Sequence, residues 1–291
     1  MRPMVHVLRR ACWCSLLILI PVHAGLLHAA EKSSAVLMVK DALTAPREPA
    51  AVEAKLLEPR LLNDAGLGGE PLELVIDGQV VATSMTGGDG RAVLGYTPKA
   101  PGVAPVLVKV GASPRVTPTE GQANLVVWER RHPIVVIEFA ALVREPVQTG
   151  PLPAVGGMLQ TEQEPMPDAA EELEKLTRFY YGVIYAVMPS TGGADGFQVS
   201  ARVREWLNRH KFPPGYVMVL SAGDKTLGTK IDELHAAGWK TIRTGIGRTN
   251  AFAEAFLQRR LDAVLVTEPV QGGGPRKAKI ARGWKEVRKK L

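Results

Sequence analysis

The stretch Pro133-Ile-Val-Val-Ile137 decides the fold of the second half of the chain. A continuous apolar run of this kind is typical of a strand that is buried on both faces of a parallel sheet. Helical and apolar segments alternate after it, and the pattern predicts helices at 168–180, 197–210, 225–237 and 249–260, with strands at 183–187, 216–220, 239–243 and 263–266. This alternation predicts a three-layer α/β domain over residues 131–275.

Ligands of such sheets bind beyond the carboxyl ends of the strands. The segments expected to line a site are therefore 138–144, 186–194, 221–225, 244–250 and 267–271. Residues 144–167 are rich in proline, lack periodicity and are predicted to form one long loop, serving either as a lid or as a mobile segment.

Residues 31–130 have a different pattern, in which short alternating apolar runs are separated by turn signals. The runs include 35–39, 72–76, 92–96, 106–110 and 124–128. Asp77-Gly78 fits a two-residue hairpin, because glycine and aspartate tolerate the backbone that such turns need. This spacing of short strands predicts a β-sandwich.

The motifs across residues 60–110 run from Asn63-Asp-Ala-Gly66 through Asp77-Gly78 and Gly88-Asp-Gly-Arg-Ala92 to Tyr96-Thr-Pro98. This order resembles a bacterial immunoglobulin-like repeat of the invasin type. The resemblance implies a domain that acts as a spacer or as an adhesive, ligand-binding module.

Residues 1–30 are typical of a signal peptide. Arg2, Arg9 and Arg10 precede an apolar run over 15–22, and Ala24 or Ala30 could end the peptide. We therefore expect an exported protein, periplasmic or extracellular after cleavage, with an uncleaved anchor as the alternative. Both cysteines of the chain fall within this segment, so the mature protein is expected to have no disulfides.

The α/β part, over about 133–269, resembles the haloacid-dehalogenase-like (HAD-like) superfamily, a Rossmann-like fold, and within it the lipin-type phosphatidate phosphatases. The resemblance is carried by 204–215, a helix that runs into Pro213-Pro-Gly215, and by 245–256, which starts Gly245-Ile-Gly-Arg-Thr249. It implies Mg²⁺-dependent phosphoryl transfer from an aspartate at the end of the first strand, with a second aspartate as acid and base.

Most positions that the resemblance assigns to this chemistry hold unsuitable residues. The nucleophile position falls on Glu138, the acid/base position on Ala140, the strand-2 hydroxyl position near Ala186 and the later metal-binding position on Phe252. The phosphate-binding lysine is assigned to Lys230, with Lys225 as the other candidate. The sequence therefore predicts a domain without phosphatase activity and without a cofactor or metal; Mg²⁺ is expected only if an active phosphatase is the correct alternative.

Anionic ligands are suggested by the turn before helix 249–260 and by the basic residues of 276–291. A small anion could bind the backbone N–H groups before helix 249–260, with Gly245, Gly247 and Arg248 around it and Lys225 or Lys230 nearby. The Gly245-Ile-Gly247 spacing resembles a dinucleotide loop only superficially, since it follows the fourth strand and not the first.

The last sixteen residues are strongly basic, with a net charge of +7 that equals that of the whole chain. Ile280, Trp284, Val287 and Leu291 are spaced as one apolar stripe, which predicts an amphipathic helix over 276–291. This helix either packs its stripe on the sheet or lies on an anionic membrane surface. The membrane candidates are Trp284, Lys285, Arg288, Lys289 and Lys290.

Outside these sixteen residues and the signal segment, the chain is slightly acidic, so no broad nucleic-acid-binding surface is expected. The sequence favours an exported, non-catalytic binding or scaffolding protein whose partner is another protein or an anionic ligand. The alternatives are an active phosphatase, acting on phosphatidate or another phospholipid, and a membrane-surface binder that uses the basic terminus.

Overall fold

The computed structural model describes residues 32–61, 64–144, 163–188, 195–220, 226–266 and 274–291. Residues Lys32–Leu291 form one compact unit. The predicted signal peptide, most of the predicted loop 144–167 and the candidate Lys225 lie outside the described residues.

The first part of this unit is a sandwich of two sheets. Its strands are β1 (Val36–Val39), β2 (Ala42–Thr44), β3 (Ala50–Glu58), β4 (Ala65–Gly66), β5 (Pro71–Ile76), β6 (Gln79–Met85), β7 (Arg91–Tyr96), β8 (Gly102–Val110) and β9 (Glu120–Val127). One sheet joins β1, β3, β4 and β7, and the other has the order β2-β9-β8-β5-β6. The two sheets share one apolar core, to which β3 contributes Val52, Ala54 and Leu56 on alternate positions.

The order of these strands is that of an immunoglobulin-like sandwich, which confirms the sequence prediction for this part. The chain crosses from β1 in one sheet to β2 in the other, and β2 runs parallel to the last strand, β9. The predicted turn is also present: Asp77 and Gly78 both have positive φ, 50° and 78°, as a two-residue hairpin between β5 and β6 requires.

The second part is built on a six-stranded parallel sheet with the order β12-β11-β10-β13-β14-β15. The strands are β10 (Ile134–Glu138), β11 (Gly182–Val187), β12 (Tyr216–Val219), β13 (Ile242–Gly247), β14 (Asp262–Val266) and β15 (Lys279–Ala281). The helices are α1 (Ala169–Phe179), α2 (Gly196–Arg209), α3 (Leu227–Ala236), α4 (Asn250–Leu257) and α5 (Trp284–Val287). The first strand of this part, β10, lies inside the sheet and is buried along its whole length.

Helices cover both faces of this sheet. Val135 and Ile137 of β10 pack with side chains of α1, α2 and α5. Ile134 and Val136, which point the other way, pack with side chains of α3 and α4. A strand with apolar residues at consecutive positions therefore has a core on each side, as the run at 133–137 predicted.

The predicted helix over 276–291 is wrong. Residues Lys279–Ala281 form β15, which pairs with β14, and only the single turn of α5 is helical after it. Ile280 is 42% exposed and Leu291 36% exposed, whereas Trp284 and Val287 are buried. The outer edge of β14 offers backbone partners to an extended segment, and this pairing overrides the helical spacing of the apolar residues.

A buried ion pair joins the sandwich to the α/β part. The Asp41 carboxylate, at the crossing between β1 and β2, accepts a hydrogen bond from Arg204 Nη1 of α2 at 2.6 Å. The same carboxylate accepts the backbone N–H groups of Asn124 and Val217, each at 2.9 Å. Arg204 Nη2 also donates to the carbonyl oxygen of Val39 at 3.2 Å. Asp41 thus connects β9 of the sandwich with β12, the edge strand of the parallel sheet.

Candidate functional site

Glu138 ends the central strand β10 at the carboxyl edge of the parallel sheet, where ligands of such sheets bind. The neighbours of β10 are β11 on one side and β13 on the other, so the strand order reverses here. Glu138 is only 1% exposed. Its carboxylate therefore needs hydrogen-bond partners inside the protein.

The partners come from the turn between β13 and α4. Glu138 Oε2 accepts the backbone N–H groups of Arg248 at 2.6 Å and Thr249 at 2.9 Å, and Oε1 accepts the Thr249 hydroxyl at 2.6 Å. Thr249 is also the N-cap of α4, because its Oγ1 accepts the N–H of Phe252 at 3.2 Å. The negative carboxylate lies at the start of a helix, where the partial positive charge of the helix dipole favours it.

The prediction that an external anion binds beside Gly245, Gly247 and Arg248 therefore needs correction. Two of the backbone N–H groups at this turn, those of Arg248 and Thr249, are taken by the carboxylate of Glu138. The two glycines are explained by packing. A Cβ at Gly247 would meet Glu138 Oε2 at 2.8 Å and overlap the Phe252 ring, and one at Gly245 would lie 2.5 Å from the Phe256 ring.

The structure brings some of the predicted site positions together. Ala186 is buried and pairs with Glu138 across the sheet, and Phe252 is fully buried beneath the Arg248–Thr249 turn. Ala140 lies exposed on the single 3-10 turn that follows Glu138. Lys230 lies on α3, where its ammonium group pairs with Glu233 at 3.0 Å.

The basic terminus contacts α1 and the turn after β10. Trp284 is 1% exposed and donates its indole N–H to the carbonyl oxygen of Ala141 at 3.0 Å. Lys285 pairs with Asp168 at 3.2 Å and Arg288 with Glu172 at 2.9 Å. The membrane candidate Trp284 is therefore a core residue, and Lys285 and Arg288 have acidic partners within the chain.

Glu172 is the acidic residue of α1 that pairs with Arg288 of the basic terminus. It is buried on α1, and a hydrogen bond from Lys175 lowers the pKa of its carboxyl, with Arg288 contributing in the same direction. Lys289 and Lys290 follow at the end of the segment, with Lys289 exposed.

Sequence reasoning found Glu138 but missed its partner Thr249. One signal was available, since a threonine directly before a helical pattern is typical of an N-cap. The Asp41–Arg204 pair was also missed, although Arg204 begins the stretch on which the phosphatase resemblance rests.

No group of three or more histidine, cysteine or acidic side chains that could hold a metal ion occurs among the described residues. Within the same residues, no helix is long and apolar enough to cross a membrane.

No family model matches the sequence, and no curated protein matches it either. Among solved structures, the CARDB domain of a Pyrococcus furiosus protein matches 35% of this chain and 97% of its own, with 15% identity and a TM-score of 0.24. The D00-D0 domain of intimin matches 32% of this chain and 46% of its own, with 14% identity and a TM-score of 0.24.

A Paenibacillus cycloisomaltooligosaccharide glucanotransferase matches more of this chain, 81%, but only 45% of its own length, with 9% identity and a TM-score of 0.27. At such scores these likenesses carry no argument about the activity of this chain. The immunoglobulin-like sandwich stands on its own strand pairing.

Proposed function

We propose that this chain is a non-catalytic binding or scaffolding protein whose α/β part is a degenerate HAD-like domain of the lipin-type phosphatase kind. The observation that carries the proposal is the burial and hydrogen bonding of Glu138. A nucleophile must be open to the substrate, but Glu138 is only 1% exposed and both oxygens of its carboxylate accept hydrogen bonds from the turn after β13.

The position of Glu138 in the sheet strengthens this interpretation. Doubly wound sheets bind ligands where the strand order reverses, and that point lies here between β10 and β13. Glu138 fills it by holding the turn after β13 against the end of β10. A phosphoryl group would have to displace this carboxylate from the two backbone N–H groups that it accepts.

The residue two positions after Glu138 also supports the proposal. The acid/base position of the resemblance holds Ala140, whose methyl group cannot donate or accept a proton. General acid–base catalysis is worth about 10²–10⁴ in rate, and the covalent and metal contributions would be lost as well.

The proposal is tested by assaying residues 32–291 with p-nitrophenyl phosphate and with phosphatidate, in the presence and absence of Mg²⁺. We expect no release of phosphate above that of a Glu138→Ala preparation purified in parallel. Turnover in the unaltered protein that the Glu138→Ala substitution abolishes would overturn the proposal and favour the active-phosphatase alternative.

We also propose that the basic terminus closes the α/β fold and does not anchor the protein to a membrane. The burial of Trp284 and the pairs made by Lys285 and Arg288 support this role. Co-sedimentation with vesicles that contain an anionic phospholipid tests it. Binding that a Lys289→Glu/Lys290→Glu variant loses would contradict it, because those lysines would then be lipid contacts.

Export is proposed on the sequence of residues 1–30. Amino-terminal sequencing of the protein recovered from a bacterial periplasm or culture medium is expected to give a start just after Ala24 or Ala30. Recovery of the chain from the cytoplasm with Met1 or Arg2 at its start would contradict export.

A further inference from the structure

One lateral side of the sandwich has an open strand edge. Strand β6 ends the five-stranded sheet and pairs with β5 along one of its edges. Val81 and Met85 of β6 are 37% and 58% exposed. Val80 of the same strand is 49% exposed.

This edge lacks the protection that the two edges of the parallel sheet have. The chain carries no charged residue from Gly78 to Gly88, a range that includes the whole of β6. By contrast, β15 is only three residues long and carries Lys279, while β12 donates the Val217 N–H to Asp41. Native proteins usually protect open edges with charges, proline or a covering segment, because unpaired backbone groups invite another strand.

The geometry of β6 fixes which residues could meet a second strand. The pairing with β5 slips beside Val81, so the regular edge is Ala82–Met85. A copy of the same strand, running antiparallel about a dyad at Thr83, would place Thr83 opposite Thr83 and Ala82 opposite Ser84, and it would bring Val81, at the slip, near Met85. Threonine pairs and apolar pairs are favourable across antiparallel strands, and this pairing brings no like charges together.

We propose that β6 is a self-association edge through which two copies of this chain join their five-stranded sheets into one continuous antiparallel sheet. A second copy fits the edge because the contact is uncharged and self-complementary, as a two-fold interface must be. This inference is independent of whether the α/β part is catalytic.

The size of the contact predicts a weak dimer. The regular edge, Ala82–Met85, spans only about 14 Å. One strand pair with a few exposed side chains buries less than the roughly 1,200 Å² at the lower end of stable interfaces. We therefore expect association that depends on protein concentration between about 10 µM and about 1 mM.

Sedimentation velocity on residues 32–291 over this range tests the proposal. A Thr83→Lys variant places two lysines opposite each other, so we expect it to lose at least about nine-tenths of the dimer at the highest concentration. Thr83→Glu is expected to behave in the same way. Mixing the two variants in equal amounts should restore the dimer, because lysine then faces glutamate.

Thr177→Lys, which makes the same change on α1, is the matched control and should dimerise like the unaltered protein. Circular dichroism shows whether each variant folds. If the charged variants do not fold, Thr83→Cys gives a second test, because residues 32–291 contain no cysteine. The two introduced thiols would meet at the dyad and should form a disulfide-linked dimer under mild oxidation, whereas a Thr177→Cys variant should not.

Three results would overturn the proposal. They are a monomer at every concentration, a dimer that survives in Thr83→Lys, and a mixture of Thr83→Lys and Thr83→Glu that stays monomeric although both variants fold.

Discussion

The joint between Asp41 and Arg204 gives a quantitative prediction. Replacing Arg204 with alanine removes the cation from a carboxylate whose side chain is fully buried, and it also removes a hydrogen bond to the Val39 carbonyl. Breaking a buried pair by deleting one partner typically costs about 3–5 kcal/mol, because the remaining charge is left uncompensated. We expect the free energy of unfolding of residues 32–291 to fall by about 3–5 kcal/mol near neutral pH.

The loss should depend on pH with a definite sign. Burial raises the pKa of Asp41 above its ordinary value, while Arg204 and the N–H groups of Asn124 and Val217 lower it. Because the native state holds this proton to a higher pH than the unfolded chain, the group favours the native state at low pH. That contribution is lost as the pH rises from about 4 through the native pKa.

Removing Arg204 takes away a charge that lowers this pKa, so the variant should bind the proton over a wider pH range. As the pH falls, the variant's deficit in free energy of unfolding relative to the unaltered protein should therefore shrink. The change is about 1.4 kcal/mol for each pH unit in which only the variant holds the proton. Urea unfolding followed by tryptophan fluorescence, at several pH values between about 4.5 and 7.5, measures this difference.

The matched control is an Asp41→Asn/Arg204→Ala double variant. It removes the buried charge together with its partner, so its deficit should vary little with pH. The amide keeps one acceptor oxygen for the N–H groups of Asn124 and Val217, so the comparison with Arg204→Ala rests on the pH dependence and not on the absolute stability. A deficit below about 1 kcal/mol in Arg204→Ala, or one that is the same at every pH, would refute the claim that Asp41 is held as a buried charge by Arg204.

The remaining predictions concern the carboxyl edge and the terminal segment. Glu138→Ala should lower the free energy of unfolding by about 1–3 kcal/mol, because it leaves the partly buried N–H groups of Arg248 and Thr249 without their acceptor; a change under about 0.5 kcal/mol in calorimetry would contradict the hydrogen bonds described for it. Trp284→Ala should cost about 3–5 kcal/mol by loss of a large buried side chain, whereas Ile280→Ala, at an exposed position, should change stability little; equal effects in thermal unfolding would count against the docking of the terminal segment. Gly247→Ala should lower stability by about 1–3 kcal/mol through overlap with Phe252, whereas Gly88→Ala, which has open space around it, should be tolerated; the reverse order in urea midpoints would refute this packing.

Sequence patterns predicted the fold better than they predicted the site. The apolar run at 133–137 and the Asp77-Gly78 turn are local signals, and the structure shows the buried strand and the two-residue hairpin that they indicate. The terminal segment failed because helical spacing at Trp284 and Val287 is local, whereas the pairing of β15 with β14 depends on which sheet edge is free.

The site depends on contacts between distant parts of the chain. Glu138 was recognised as a degenerate position, and the turn around Arg248 was recognised as able to hold an anion. Nothing local connects the two, since 110 residues separate them and only the neighbouring positions of β10 and β13 bring them together. The Asp41–Arg204 pair spans 163 residues and was hidden for the same reason.

The place of β15 and α5 has a consequence for the timing of folding during synthesis. β10 is the first strand of the sheet in the chain, yet the last strand and the tryptophan that contacts the turn beside Glu138 come from residues 279–284. The sandwich strands, which end at Val127, can pair long before these residues are made. The α/β part must wait for contacts that span more than 140 residues, so part of its hydrophobic core stays uncovered until residues 279–284 have been translated. A chaperone or an export factor would therefore meet a nascent chain that has all the strands of the sandwich but still lacks the last strand of the parallel sheet.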